Sequence, residues 1–145
     1  MATRSARTDW AGTLQDGGGQ VDLLSSQAGH FPVSFPRRTS DDAQGVTSPE
    51  ELIAAAHSSC YSMALSGIIA GAGGTPRALA VTADVTLRPD GSGGLEISGI
   101  ALTVRGEVDG LDEAAFDAAA QTAKETCPVS KALAAVPITL DAALT

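Results

Sequence analysis

Residues 47–66 read TSPEELIAAAHSSCYSMALS, and this stretch decides the fold. Ser48 fits a helix N-cap. Pro49 fits the first helical position, where its missing N–H costs nothing, and Glu51 the third; together they predict a capping box. The apolar pattern continues to about Ile69, and Gly71, Gly73, Gly74 and Pro76 stop it. The helix is apolar on most sides, which predicts a place at the centre of the fold. Residues 52–71 are apolar enough to test as a membrane span. Against that stand His57, Tyr61 and the serines within the stretch, and a flank of Glu50-Glu51 where Lys or Arg would be expected. A buried helix of a globular protein is the expectation, with no membrane partner.

Working outward, a chain of 145 residues suits one domain spanning residues 1–145. Apolar residues make up 43%, enough for a core, but aromatics only 3%, so that core must be aliphatic and alanine-rich. A net charge of −8 disfavours non-specific binding to nucleic acid or to an anionic membrane. The opening MATRSARTDWAG carries no apolar h-region, so no signal peptide is expected and a cytoplasmic location follows.

Residues 7–14 and 20–25 read as short strands around the turn cluster Asp16-Gly17-Gly18-Gly19. Residues 30–36 (HFPVSFP) suit an edge strand limited by Pro32 and Pro36, and 37–45 reads as loop. After the helix, Leu79, Val81, Val85 and Leu87 alternate with polar or small residues, predicting a half-buried strand. Leu95 and Ile97 face one way, while Ile100, Leu102, Val104 and Val108 follow the opposite parity. The flip predicts a bulge near Ser98-Gly99 in an antiparallel hairpin. Asp112 caps a second helix over 113–126, which Pro128 ends. A short helix over 128–134 and a strand over 137–143 complete an α+β order of β-β-β-α-β-β-α-α-β, mostly antiparallel.

The chain has two cysteines, Cys60 and Cys127. In a cytosolic protein these read as thiols before a structural disulfide. Cys60 could be a small buried residue on a core helix. Ser58, Ser59 and Ser62 around it, and His57 one turn earlier, are poor choices for a purely apolar wall. Cys127 precedes Pro128 and falls at the junction of two helices. The second helix's N-terminus would favour a thiolate there; the alternative is a small residue in a tight corner. With only His30 and His57 besides, a metal site from Cys60, Cys127 and His57 would be short of ligands.

TSPEELIAAAHSSCYSMALS together with ETCPVSKAL (residues 125–133) resembles the OsmC/Ohr family of thiol-dependent hydroperoxide reductases, and its OsmC branch more than its Ohr branch. The likeness extends loosely over nearly the whole chain. Ser58-Ser59 stand where alanines are common and Tyr61 where phenylalanine is common. The resemblance implies an OsmC-like α+β fold, with about six mostly antiparallel strands around the long helix, as an intertwined homodimer. It also implies a two-cysteine peroxidase reducing organic hydroperoxides, with Cys60 the peroxidatic and Cys127 the resolving thiol. The reductant it implies is a dithiol, such as a lipoylated carrier protein, and no metal or organic cofactor takes part.

The family places an arginine before the central helix, held by that helix's first glutamate. In FPRRTSDD the choice is Arg38, with Arg37 the runner-up, and the glutamate is Glu50. A solvated loop pair beside Asp41-Asp42 is the other reading of the arginines. Ten helical residues span roughly 15 Å and put Glu50 and Cys60 about 80° apart around the axis. A kink, a long reach by Arg38, or a Glu50 from another subunit would answer this, and the last is favoured. Ala54, Ala55, Ala56, Met63, Ile68 and Ile69 offer apolar wall for an alkyl tail. The rivals are a non-catalytic thiol redox sensor or stress-associated binding protein, and a dimer with inert buried cysteines.

Overall fold

A computed structural model describes all 145 residues. The chain divides into two compact units, Met1–Leu52 and Ile53–Thr145. In the N-terminal unit, β1 (Arg7–Ala11), β2 (Gly18–Asp22) and β3 (His30–Val33) form an antiparallel sheet in the order β1-β2-β3. The first turn lies earlier than predicted, because Gly18 and Gly19 belong to β2. Gly12 carries it at φ +90°, where a Cβ would sit 2.8 Å from the Gly17 Cα. Pro32 is tolerated because β3 is an edge strand. Residues 37–45 are not all loop. Phe35–Arg38 forms a short helix, α1, entered through an extended Ser34 with Pro36 in its first turn, where a proline's missing N–H is harmless.

The long helix α2 (Pro49–Gly71) starts where the capping pattern puts it. Half of the predicted capping box forms: the Ser48 hydroxyl accepts from the Glu51 N–H at 3.1 Å. The Glu51 carboxylate instead accepts from the Thr47 hydroxyl, so the reciprocal bond is replaced. Within the C-terminal unit α2 buries one stripe, His57, Tyr61, Leu65 and Ile69, at every fourth position. Ala55, Ala56, Ser59, Met63 and Gly67 face outward, so the chain itself covers only one side of this helix.

The hairpin of β4 (Thr75–Pro89) and β5 (Leu95–Asp109) is antiparallel. Thr86 pairs with Gly99 and Leu87 with Ile97, which leaves Ser98 unpaired at the bulge the parity flip marks. α3 (Glu113–Thr126) starts at Asp112, whose carboxylate accepts from the Ala115 N–H at 2.8 Å. α4 (Pro128–Ala132) is shorter than predicted. β6 (Ile138–Leu144) then joins β5 in parallel, giving the order β4-β5-β6. A parallel neighbour requires a crossover, and α3 with α4 supplies it.

The core lies between the α2 stripe, Leu102 and Val104 of β5, and Phe116, Ala119, Ala120 and Ala123 of α3. The alanines let α3 approach closely, and Gly106 leaves room for the Phe116 ring, which would lie 2.8 Å from a Cβ there. Burial, then Asp117 and Cys127, push the Tyr61 hydroxyl up, so it stays protonated and donates to the Ala120 carbonyl at 2.9 Å.

Candidate active site

Cys60 sits mid-α2 and Cys127 at the corner that ends α3 and caps α4. That corner exists because Pro128 cannot continue α3 but can begin a new helix. The two sulfurs, 67 residues apart along the chain, lie 3.2 Å from each other. Both are free thiols; Cys127 is fully buried and Cys60 partly accessible.

Their electrostatics run opposite to the family-based expectation when the C-terminal unit is taken alone. Burial pushes the Cys60 thiol up, and the neighbouring Cys127 adds to this while the Val129 N–H opposes it. Burial also works to raise Cys127. The Ser130 N–H, the Cys60 thiol, the Ser130 hydroxyl and the Val129 N–H outweigh that and lower it. Cys127 is thus the sulfur its own surroundings favour as thiolate.

In the N-terminal unit, Arg38 closes α1 and Glu50 opens α2. The Arg38 Nε donates to both Glu50 oxygens at 3.2 and 3.1 Å, and Nη2 to Oε1 at 2.6 Å. Such a fork fixes the guanidinium plane as well as its charge. Burial works to raise the Glu50 carboxyl, but Arg38, the residue's own N–H and the Ser48 hydroxyl hold it below the usual carboxylate range. Its bond to Glu50 holds Arg38 up, so the pair stays charged. Arg37 points elsewhere, toward the Asp42 carbonyl at 3.5 Å.

A pocket of about 390 Å³ opens in the same unit, with Trp10, Leu14, Val21, Val33 and Phe35 as apolar wall and Arg38 on its lining. The sequence reading put apolar wall on α2 instead, where Ile69 proves fully buried in the core and Met63 is 70% exposed. The pocket's signal was Trp10 and Phe35, two of the chain's few aromatics. No three His, Cys, Asp or Glu side chains stand together as a cation site.

In the C-terminal unit, His57 is fully buried on α2, one turn before Cys60. Its Nε2 lies 2.8 Å from the Ser130 Oγ, a residue the sequence reading did not single out, and its Nδ1 has no partner. Burial lowers its pKa, so the ring is neutral.

The pattern that defines the family described as OsmC-like protein matches residues 41–141. The chain belongs to the OsmC family. It is 41% identical to the peroxiredoxin OsmC of Escherichia coli (strain K12) over 138 residues, 95% of this chain and 94% of that protein. The organic hydroperoxide resistance protein OhrB of Bacillus subtilis superposes with a TM-score of 0.78 at 25% identity, covering 98% of each chain. An organic hydroperoxide resistance protein OsmC from Legionella pneumophila gives 0.75 at 22% identity over 99% of this chain and 98% of its own, which bears on the fold alone. The OsmC-like α+β fold of six strands and a long helix is the one this chain has. Peroxidase-type chemistry is what the family's named members point to.

Proposed function

We propose that this OsmC-family chain is a two-cysteine peroxidase that reduces organic hydroperoxides to alcohols. The observation that carries the reading is the 3.2 Å approach of two free thiols of which only Cys60 is accessible. The accessible sulfur meets the substrate; the buried one waits for the product of that meeting.

The Cys60 thiolate attacks the distal oxygen of ROOH. The O–O bond breaks, the sulfur becomes a sulfenic acid, and the alkoxide leaves and is protonated to ROH. Cys127 attacks the sulfenic sulfur, forming the disulfide and releasing water. A dithiol, such as a lipoyl group on a carrier protein, restores both thiols by exchange. The cycle uses no metal or organic cofactor.

Cys60 needs a cation, because burial opposes its ionisation. Arg38, fixed by Glu50, is the cation in this reading. The chain acts as a cytoplasmic homodimer in which the Arg38–Glu50 pair of one protomer serves the partner. The uncovered apolar face of α2 at Ala55, Ala56, Met63 and Gly67 supports a second copy there. The apolar pocket beside Arg38 supports an alkyl tail on the substrate.

A second reading, a thiol redox switch without turnover, draws on the unfavourable ionisation of Cys60. Thiol titration before and after one equivalent of cumene hydroperoxide separates the two. A peroxidase loses two thiols and recovers them over many cycles with a dithiol, Cys60→Ser is inert, and Cys127→Ser stops at the sulfenic acid. Stoichiometric oxidation with no turnover would favour the switch. Equal rates with hydrogen peroxide and cumene hydroperoxide would remove the organic preference.

A further inference from the structure

The cycle above gives no task to His57, although it is a fully buried titratable side chain. Its position is built: one turn before Cys60 on α2, with its Nε2 against the hydroxyl of Ser130, itself 4% exposed, on α4, 73 residues away. Ser130 is the third residue of a helix whose N-cap is Cys127. That places Ser130 in the first turn of the helix that Cys127 caps, and its hydroxyl is among the groups that lower the Cys127 thiol.

The unpartnered Nδ1 decides the direction of this chain of contacts. A proton on Nδ1 would leave a buried N–H without an acceptor, which folded proteins almost never allow; a lone pair without a donor is tolerated better. The proton therefore sits on Nε2 and is donated to the Ser130 oxygen. The hydroxyl, having accepted from His57, has its own proton free for the sulfur. The opposite tautomer would spend that proton on the imidazole.

We infer that His57 and Ser130 are positioning residues for Cys127, the imidazole N–H aiming the Ser130 hydroxyl so that its proton always meets the Cys127 sulfur. This rests on the two-cysteine reading and assigns the pair to its second half. When Cys127 attacks the Cys60 sulfenic acid, an S–S bond forms and the S–O bond breaks. The departing hydroxide leaves as water with the proton that Cys127 gave up. When the dithiol later attacks the accessible Cys60 sulfur, the same hydroxyl receives Cys127 as the leaving thiolate. The pair thus also directs which sulfur is attacked, since the better-stabilised thiolate leaves faster.

The groups facing this cluster are Cys60 and Tyr61 on α2, Asp117 on α3 beside Tyr61, Lys124 and Glu125 at the end of α3, which share a surface hollow with Ser130, and the exposed Lys131 on α4. The test removes the first by working in Cys60→Ser, where Cys127 is the only thiol and no hydroperoxide is needed. Thiolate absorbance at 240 nm is followed against pH. His57→Leu and Ser130→Ala should each raise the Cys127 ionisation midpoint by about one pH unit. His57→Gln, which keeps an N–H near the Nε2 position, should restore most of it.

An unchanged midpoint in both His57→Leu and Ser130→Ala overturns the inference, as does a Gln variant that behaves like Leu. In chains retaining both cysteines, dimedone trapping should show the sulfenic acid living about tenfold longer in Ser130→Ala, the ratio one unit of ionisation carries. A Cys127→Ser chain that forms no sulfenic acid with hydroperoxide overturns the peroxidase reading, while the absorbance result judges the His57–Ser130 pair separately.

Discussion

The two units hold different chemical groups. The N-terminal unit has a fixed cation, Arg38 forked onto Glu50, and no nucleophile. The C-terminal unit has two sulfurs at contact distance, and the accessible one is pushed toward its neutral form by burial. Their interiors differ as well. Val21 is the N-terminal unit's one buried apolar side chain, whereas the C-terminal unit encloses Tyr61, Leu65, Ile69, Phe116 and the alanines of α3. Dense packing has gone to the unit that holds the two adjacent thiols. The thinly packed unit carries the charge, where an apolar enclosure would have penalised it.

The largest effect should come from denying the C-terminal unit a second copy. Met63→Glu puts a carboxylate on the uncovered face of α2, at a residue 70% exposed. The mass by sedimentation should halve and hydroperoxide turnover should vanish. A fully active monomer would break the idea of a site shared between protomers. Next, removing the cation should leave the thiols able to form a disulfide with a strong oxidant. Arg38→Met should still slow hydroperoxide consumption about 100-fold, the usual loss when one charge-stabilising donor is deleted. Glu50→Gln should cost about tenfold, since the guanidinium stays but is held less firmly.

The smallest effect is on stability, and it separates the units by pH. Glu50 is held below its ordinary 4.5, so its contribution is present above that pH and is lost as pH falls through the folded value. His57 is held below its ordinary 6.5 by burial. The unfolded chain binds that proton first, so folding weakens as pH falls below 6.5, by at most about 1.4 kcal/mol per pH unit until the folded ring also protonates. Melting temperatures from pH 7 to 5 should drop by a few degrees per unit. His57→Gln should flatten that slope and leave the deeper acid transition of Glu50 intact.

Much of the framework was legible in local pattern. Ser48 and Pro49 mark the start of α2 because capping is short-range chemistry. Ser98 shows as a bulge because a strand's period of two records any inserted residue. Pro128 fixes the helix corner that holds Cys127. What escaped was either non-local or a competition between near-equal options. Nothing in residues 138–144 says that β6 runs parallel to β5, since direction is set by the crossover. The helix at FPRR is a single turn, too short for any periodicity. The Glu51 carboxylate could accept from the Ser48 N–H or from the Thr47 hydroxyl, and took the hydroxyl. The His57–Ser130 contact joins residues 73 apart, and only the fold reveals it. For the site residues, the motif named Cys60, Cys127, Arg38 and Glu50. The N-terminus of α4 already pointed to a favoured thiolate at Cys127, but the motif could not foretell that burial pushes Cys60 the other way, because burial is a property of the packed fold.

The 67-residue span between sulfurs that already touch has an energetic corollary. Closing so long a covalent ring removes many conformations from the unfolded chain, about 4 kcal/mol by loop-entropy reasoning. Because the cycle is closed, the native fold must favour the oxidised pair by the same amount. A monothiol of ordinary strength would then be a poor reductant, and a partner that closes a ring of its own on oxidation would be the natural match.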